Sequence, residues 1–170
     1  MVIMITGDIN IGKTTIINKI LQAFPDDICG FCTREFFENG KREGFFLSDI
    51  LNLYSPLKQN IIARMDSDFK PIVFSEIFDD FGVHLTQNCL NSDKRIAIID
   101  EIGVFESKSD KFVQTLDKLL NSDKIVIAVL KKRDHLFLDR YKKMFNPLEI
   151  TLFNRDKVAK DIINIIDKNL

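Results

Sequence analysis

Gly7-Asp8-Ile9-Asn10-Ile11-Gly12-Lys13-Thr14 places two glycines, a lysine and a hydroxyl at the spacing G-x-x-x-x-G-K-[ST]. Each residue type answers one need of a polyphosphate. Gly7 and Gly12 let backbone N–H groups turn inward as an anion nest at the start of a helix, whose dipole favours negative charge. Lys13 can reach β- and γ-phosphates, the Thr14 hydroxyl can ligate Mg²⁺, and Thr15 continues the phosphate-binding turn. A second constellation lies far downstream, where the apolar run Ile96-Ala97-Ile98-Ile99 ends in Asp100-Glu101. In proteins with such a glycine loop, an acid in this position holds the metal opposite the loop's hydroxyl, a role that Asp100 fits. Glu101 could accept a proton from a water aligned behind the γ-phosphorus. The metal ligands expected from this chain are therefore Thr14 and Asp100, and the catalytic groups Lys13 and Glu101.

Charge that develops on phosphoryl oxygens calls for further cations. Lys131-Lys132-Arg133 follows an apolar run, and of these Arg133 is the expected phosphate contact; Arg34 is a second candidate. Asn154-Arg155-Asp156 follows the last apolar run, where a base or ribose contact by Asn154 and Arg155 is possible. It is not the Asn-Lys-x-Asp guanine reader, because the aspartate comes one residue early. The plainer reading is a helix start with Asn154 as cap.

These groups need elements to hold them. Val2 to Thr6 reads as a strand, and Ile16, Ile17, Ile20, Leu21 and Phe24 recur at helical spacing after the loop. Residues 28–37 and 42–48 read as two strands joined across Asn39-Gly40, a strong hairpin signal. Residues 51–54 and 60–64 read as short strands, and 71–74 is another apolar run. A helix capped by Ser75 is expected to about Leu90, with Ile77, Phe78, Phe81 and Leu85 on its apolar face. The remainder alternates: strand 95–100, helix 109–121, strand 125–130, helix 134–145, strand 148–153 and helix 155–169. The last helix is expected to bury Val158, Ile162, Ile165 and Ile166. Strands apolar on both faces, separated by amphipathic helices, imply a mainly parallel sheet covered on both sides. The expected fold is a three-layer α/β P-loop domain spanning residues 1–170, with an antiparallel hairpin added after the first helix.

Bulk composition narrows the function classes. Of 170 residues, 45% are hydrophobic and 29% charged, which is enough apolar material for one packed core. A net charge of -1 gives no basic surface for nucleic acid or anionic lipid. The longest wholly apolar run, Ile125 to Leu130, is too short to cross a bilayer, and the N-terminus lacks signal-peptide features, so a cytoplasmic location is expected. Cys29, Cys32 and Cys89 are expected to be unpaired thiols. Cys29 and Cys32, at i and i+3 on a strand, should point to opposite faces.

With these residues in place, the chain resembles the THEP-type nucleoside-triphosphatases, the family that includes the cancer-related nucleoside-triphosphatase. Three blocks carry the likeness: Ile5 through Thr15; Gly30-Phe31-Cys32-Thr33-Arg34-Glu35 with Asn39 to Phe45; and Ile99-Asp100-Glu101-Ile102-Gly103 with Glu106. Asn154-Arg155-Asp156 also has a counterpart in the family. The resemblance implies Mg²⁺-dependent hydrolysis of nucleoside triphosphates, with broad base tolerance, to diphosphate and phosphate. By position it assigns the phosphates to residues 7–14, and the metal and water-activating carboxylates to Asp100 and Glu101. Val104 stands where the family often has lysine, and Cys32 where it often has tyrosine. Two other functions share the phosphate cradle: a slowly hydrolysing nucleotide switch completed by a partner's cation, and a small-molecule or nucleotide kinase.

If Lys13 anchors the phosphates, Lys13→Ala abolishes nucleotide binding, which titration of a fluorescent nucleotide would register as a lost saturable signal.

Overall fold

Strands that are apolar on both faces are stable only between two covering layers, and three segments here have that character. The computed structural model, which describes residues 1–170, runs β1 (Val2–Thr6), α1 (Lys13–Ala23), β2 (Ile28–Glu38), β3 (Lys41–Asp49), β4 (Ile61–Met65), β5 (Pro71–Val73), α2 (Ser75–Ile77), α3 (Val83–Asn91), β6 (Ile96–Ile102), α4 (Asp110–Leu120), β7 (Ile125–Leu130), α5 (Leu136–Phe145), β8 (Leu148–Glu149) and α6 (Arg155–Asn169). One eight-stranded sheet has the order β5-β4-β3-β2-β6-β7-β1-β8. β2, β6, β7, β1 and β8 run parallel, so their carboxyl ends share one edge. Every residue of β7 is buried, as its unbroken apolar sequence requires.

The two faces carry separate cores. Ile16, Ile17 and Ile20 of α1 and Val158, Ile162 and Ile166 of α6 cover one face. Leu85 and Cys89 of α3, Phe112 and Leu116 of α4, and Leu138 and Tyr141 of α5 cover the other. Phe112 is fully buried and meets Phe31 edge-on at 5.8 Å, an arrangement favoured by the ring quadrupoles. No helix is long and apolar enough to cross a membrane.

The antiparallel part is larger than one hairpin. β2 and β3 pair across Asn39-Gly40, and β4 and β5 then extend the sheet in antiparallel fashion. Parallel pairing of β2 with β6 ends at Cys32↔Asp100, yet β2 continues to Glu38 against β3. The hairpin therefore overshoots the carboxyl edge and stands up as a wall beside it.

Several expectations need correction. Residues 51–54 form no strand, because Asp49 Oδ1 accepts from the backbone N–H groups of Leu51 and Asn52, and that local turn replaces sheet pairing. Ser75 does not cap its helix: it is the first helical residue, after Phe74, and a π-helical turn at Phe78–Gly82 separates α2 from α3. The strand expected over 148–153 is two residues long, since Asn154 Oδ1 accepts from Thr151 N–H and its Nδ2 donates to Glu149 O, curling the chain away from β1. On α6 Ile165 is 40% exposed, so the buried stripe is Val158, Ile162 and Ile166.

The cysteine reading is half right. Cys29 and Cys32 do point to opposite faces: Cys29 packs on the α3 side and Cys32 lies in the α1 core. Cys29 and Cys89 are not free, however. β2 and α3 bring their Cα atoms to 5.2 Å and the sulfurs form a disulfide, leaving buried Cys32 as the free thiol. Titrating the protein after unfolding without reductant should therefore find one thiol, and three after reduction; three without reduction would contradict the pairing.

Candidate active site

The loop between β1 and α1 is shaped by backbone conformations that glycine tolerates best. Gly12, just before α1, has φ 112°, and Gly7 has φ 153°. Space is also short: a Cβ on Gly7 would come within 2.8 Å of Ile150 O, and one on Gly12 within 3.1 Å of the Arg155 stem. Asn10, at φ 61°, completes the inward curl, a conformation asparagine accepts more readily than most residues. Across this curl the Lys13 ammonium donates to Gly7 O and Asp8 O, each at 2.8 Å. Partial burial lowers the Lys13 pKa, against the upward pull of Glu101, Asp100 and Asp8.

The opposing acids arrive on β6. Asp100 is 7% exposed, and burial raises its pKa. Arg34 and Lys13 oppose that rise, Glu101 adds to it, and the neighbouring Thr14 hydroxyl lowers it. Glu101 Oε1 accepts from Lys131 Nζ at 3.0 Å, an ion pair between the end of β6 and the residue after β7. Pairing of β6 with β7 shifts register between Asp100 and Ile102, so these carboxylates project differently from neighbouring strand residues.

Loop, acids and hairpin wall enclose a cleft of about 710 Å³. Its lining includes Ile9, Asn10, Gly12, Lys13, Thr14 and Thr15 from the loop and helix, with Asp100 and Glu101 facing them. Arg34 of β2 and both Lys131 and Arg133 after β7 also line it. The glycine loop after β1 and the acids at the end of β6 meet because β1 and β6 flank β7 in one parallel sheet. Gly7, Asp8 and Ile11 belong to the loop but not to the cleft wall, and Asp8 instead pairs with Lys132 at 3.1 Å. Asn154 and Arg155 fall outside the cleft: the Asn154 amide is spent on its own loop, and Arg155 packs over Gly12.

Two features were not foreseen as site features. The first is an apolar wall of Phe45, Met65, Phe69, Pro71 and Phe105, where Phe45 and Phe105 meet edge-on at 5.2 Å. The second is Glu106, a cleft-lining carboxyl only 3% exposed, whose Oε2 accepts from Gly103 N–H at 3.0 Å. Burial pushes its pKa up to about 7, and the nearby Glu101 charge adds to that rise. Its place in the Asp-Glu-Ile-Gly block was a signal; its burial was not readable from residue types.

A glycine loop at a strand-to-helix turn, faced by a strand-borne carboxylate on a parallel sheet, defines the P-loop nucleotide-binding class. Residues 2–163 match the family described as NTPase, and the chain belongs to that nucleoside-triphosphatase family. Nucleoside-triphosphatase THEP1 of Thermotoga petrophila is 35% identical over 99% of this chain and 94% of its own length. The protein of the same name from Methanocaldococcus jannaschii is 34% identical over 98% of this chain and 97% of its own. The fold is shared with the crystal structure of THEP1 from Aquifex aeolicus (TM-score 0.73, 24% identity, 97% of this chain and 98% of that one). It is also shared with the solution structure of a human cancer-related nucleoside triphosphatase (TM-score 0.72, 19% identity, 99% of this chain and 98% of that one).

Because the folded Glu106 carboxyl titrates near 7 while an unfolded one titrates near 4.5, unfolding releases a proton between those values, and stability falls as pH rises through that window. The loss is complete above it and amounts to about 3 kcal/mol. Glu106→Gln removes this term, so urea unfolding at about pH 4 and about pH 8 should show the variant gaining roughly 3 kcal/mol on the parent.

Proposed function

We propose that this chain hydrolyses nucleoside triphosphates to diphosphate and phosphate in a Mg²⁺-dependent reaction with little choice of base. The observation that carries this reading is the Lys13 ammonium, poised in its loop and facing Asp100 and Glu101 across one cleft. The names of its full-length relatives support it. Weak base selectivity is supported by the commitment of the Asn154 amide to its own loop, which leaves it no free edge for a base.

The residues present fit Mg²⁺. The Thr14 hydroxyl and the Asp100 carboxylate lie together, both are hard oxygen donors, and no cluster of three or more His, Cys, Asp or Glu offers a complete protein cage. A cation that takes one or two protein oxygens and fills its shell with water and phosphate suits such a set. Held there, Mg²⁺ would offset charge on the β- and γ-phosphate oxygens. In this reading residues 7–15 bind the phosphates, with Lys13 on the β- and γ-groups. Glu101 orients the attacking water and accepts its proton while the bond from the γ-phosphorus to the bridging oxygen breaks. Arg133 adds positive charge at the cleft mouth.

A nucleotide switch would need a partner to lend a cation; the presence of Arg34, Lys131 and Arg133 in the cleft favours turnover by the chain itself. The apolar wall favours a second reading, in which an acceptor molecule replaces water as in a kinase. Both are open to one assay. Phosphate release from ATP, GTP, CTP and UTP should be similar and should cease without Mg²⁺. Glu101→Gln should retain binding and slow release by about a hundredfold or more. Full activity in that variant would show that another group handles the water. Diphosphate production that depends on an added acceptor, with no free phosphate, would favour the kinase.

A further inference from the structure

Two buried side-chain polar atoms have no hydrogen-bond partner, Thr33 Oγ1 and Arg34 Nε. They are neighbours on β2, and both residues line the cleft. Folded proteins rarely leave a buried donor unpaired, and a site that does so is commonly completed by something that binds. Arg34 is also free of ion pairs, while the other cleft cations are mostly committed: Arg42 to Glu35, Lys131 to Glu101, and Lys13 to its own loop carbonyls. Arg133 is uncommitted but exposed on the rim, whereas Arg34 is half-buried within.

Its place in the sheet explains why it is uncommitted. Pairing of β2 with β6 stops at Cys32↔Asp100, so Arg34 stands two residues beyond the partner of Asp100, on a strand edge that no neighbour covers. A side chain there belongs to the wall facing Lys13 and the β6 acids. Lys13, Thr14, Asp100 and Glu101 line the same cleft, so the guanidinium shares one space with the glycine loop and the acids.

We propose that Arg34 contacts the terminal phosphate of a bound nucleoside triphosphate and offsets the charge that grows on its oxygens during transfer, so that the chain carries in its own hairpin the arginine that some P-loop triphosphatases borrow from a partner. This role rests on the triphosphatase reading. As the water oxygen bonds to the γ-phosphorus and its proton passes to Glu101, the electron pair of the breaking bond leaves on the diphosphate. The equatorial oxygens meanwhile hold the charge that a planar guanidinium can bind in bidentate fashion. The unpaired Nε supplies one such donor.

The test compares the parent with Arg34→Ala and Arg34→Lys. Arg34→Ala should slow phosphate release in single turnover by about a hundredfold or more. Binding of nucleoside diphosphate alone should be unchanged. The tighter binding produced by adding fluoroaluminate, a planar phosphoryl mimic, should be lost. Free guanidinium should restore part of the rate to Arg34→Ala and none to the parent, and Arg34→Lys should recover little, since lysine cannot bind in a fork. Parent-like release and fluoroaluminate response in Arg34→Ala would overturn the proposal. So would a variant that loses diphosphate binding and thermal stability together, since Arg34 would then be a structural brace. If the parent itself releases no phosphate, yet its fluoroaluminate response vanishes in Arg34→Ala, the contact stands and the hydrolysis reading falls.

Discussion

The Lys13 ammonium closes the loop that precedes it, donating to Gly7 O and Asp8 O, and the rest of the cleft takes its meaning from that closure. A cation bound across its own loop holds the backbone curl in place, so little conformational freedom would remain to be lost on binding an anion there. The arrangement has an electrostatic cost, seen in the lowered Lys13 pKa, and the acids of β6 offset it from across the cleft. Glycine loop and acids are thus coupled through space. Removing either changes the protonation energetics of the other.

The same coupling explains the distribution of charge. Asp100, Glu101 and Glu106 converge on one space, and burial alone would hold Asp100 and Glu106 toward their neutral forms. Arg34 and Lys13 oppose that effect at Asp100, while Lys131 takes Glu101 by direct contact. Burial raises the Glu106 pKa, and the backbone N–H of Gly103, which stands in place of an ion pair, only partly opposes that rise. Neighbouring carboxylates with different environments are given different proton affinities by the fold.

Much of this was legible in the residues. The glycine loop, the apolar strand ending in Asp100-Glu101 and the Asn39-Gly40 turn each impose a local geometry, and each appears where its pattern puts it. Periodicity placed the helices because one apolar face must be buried. It misjudged Ile165, because a helix face has a width that periodicity alone does not set. What could not be read depends on partners distant in sequence. Asn154 looked like a base contact or a cap, but its amide finds Glu149 and Thr151 instead. Cys29 and Cys89 are 60 residues apart, and only the packing of α3 on β2 brings them together. The burial of Glu106 and the overshoot of β2 are likewise products of assembly, visible only once the strand order is known.

Gly7 and Gly12 touch the far end of the chain: one abuts Ile150 and the other lies under Arg155. The turn leading into α6 is therefore a backrest for the loop at the opposite terminus, although it contributes no group to the cleft. First and last segments form one mechanical unit, in which the glycine loop rests on residues outside the cleft.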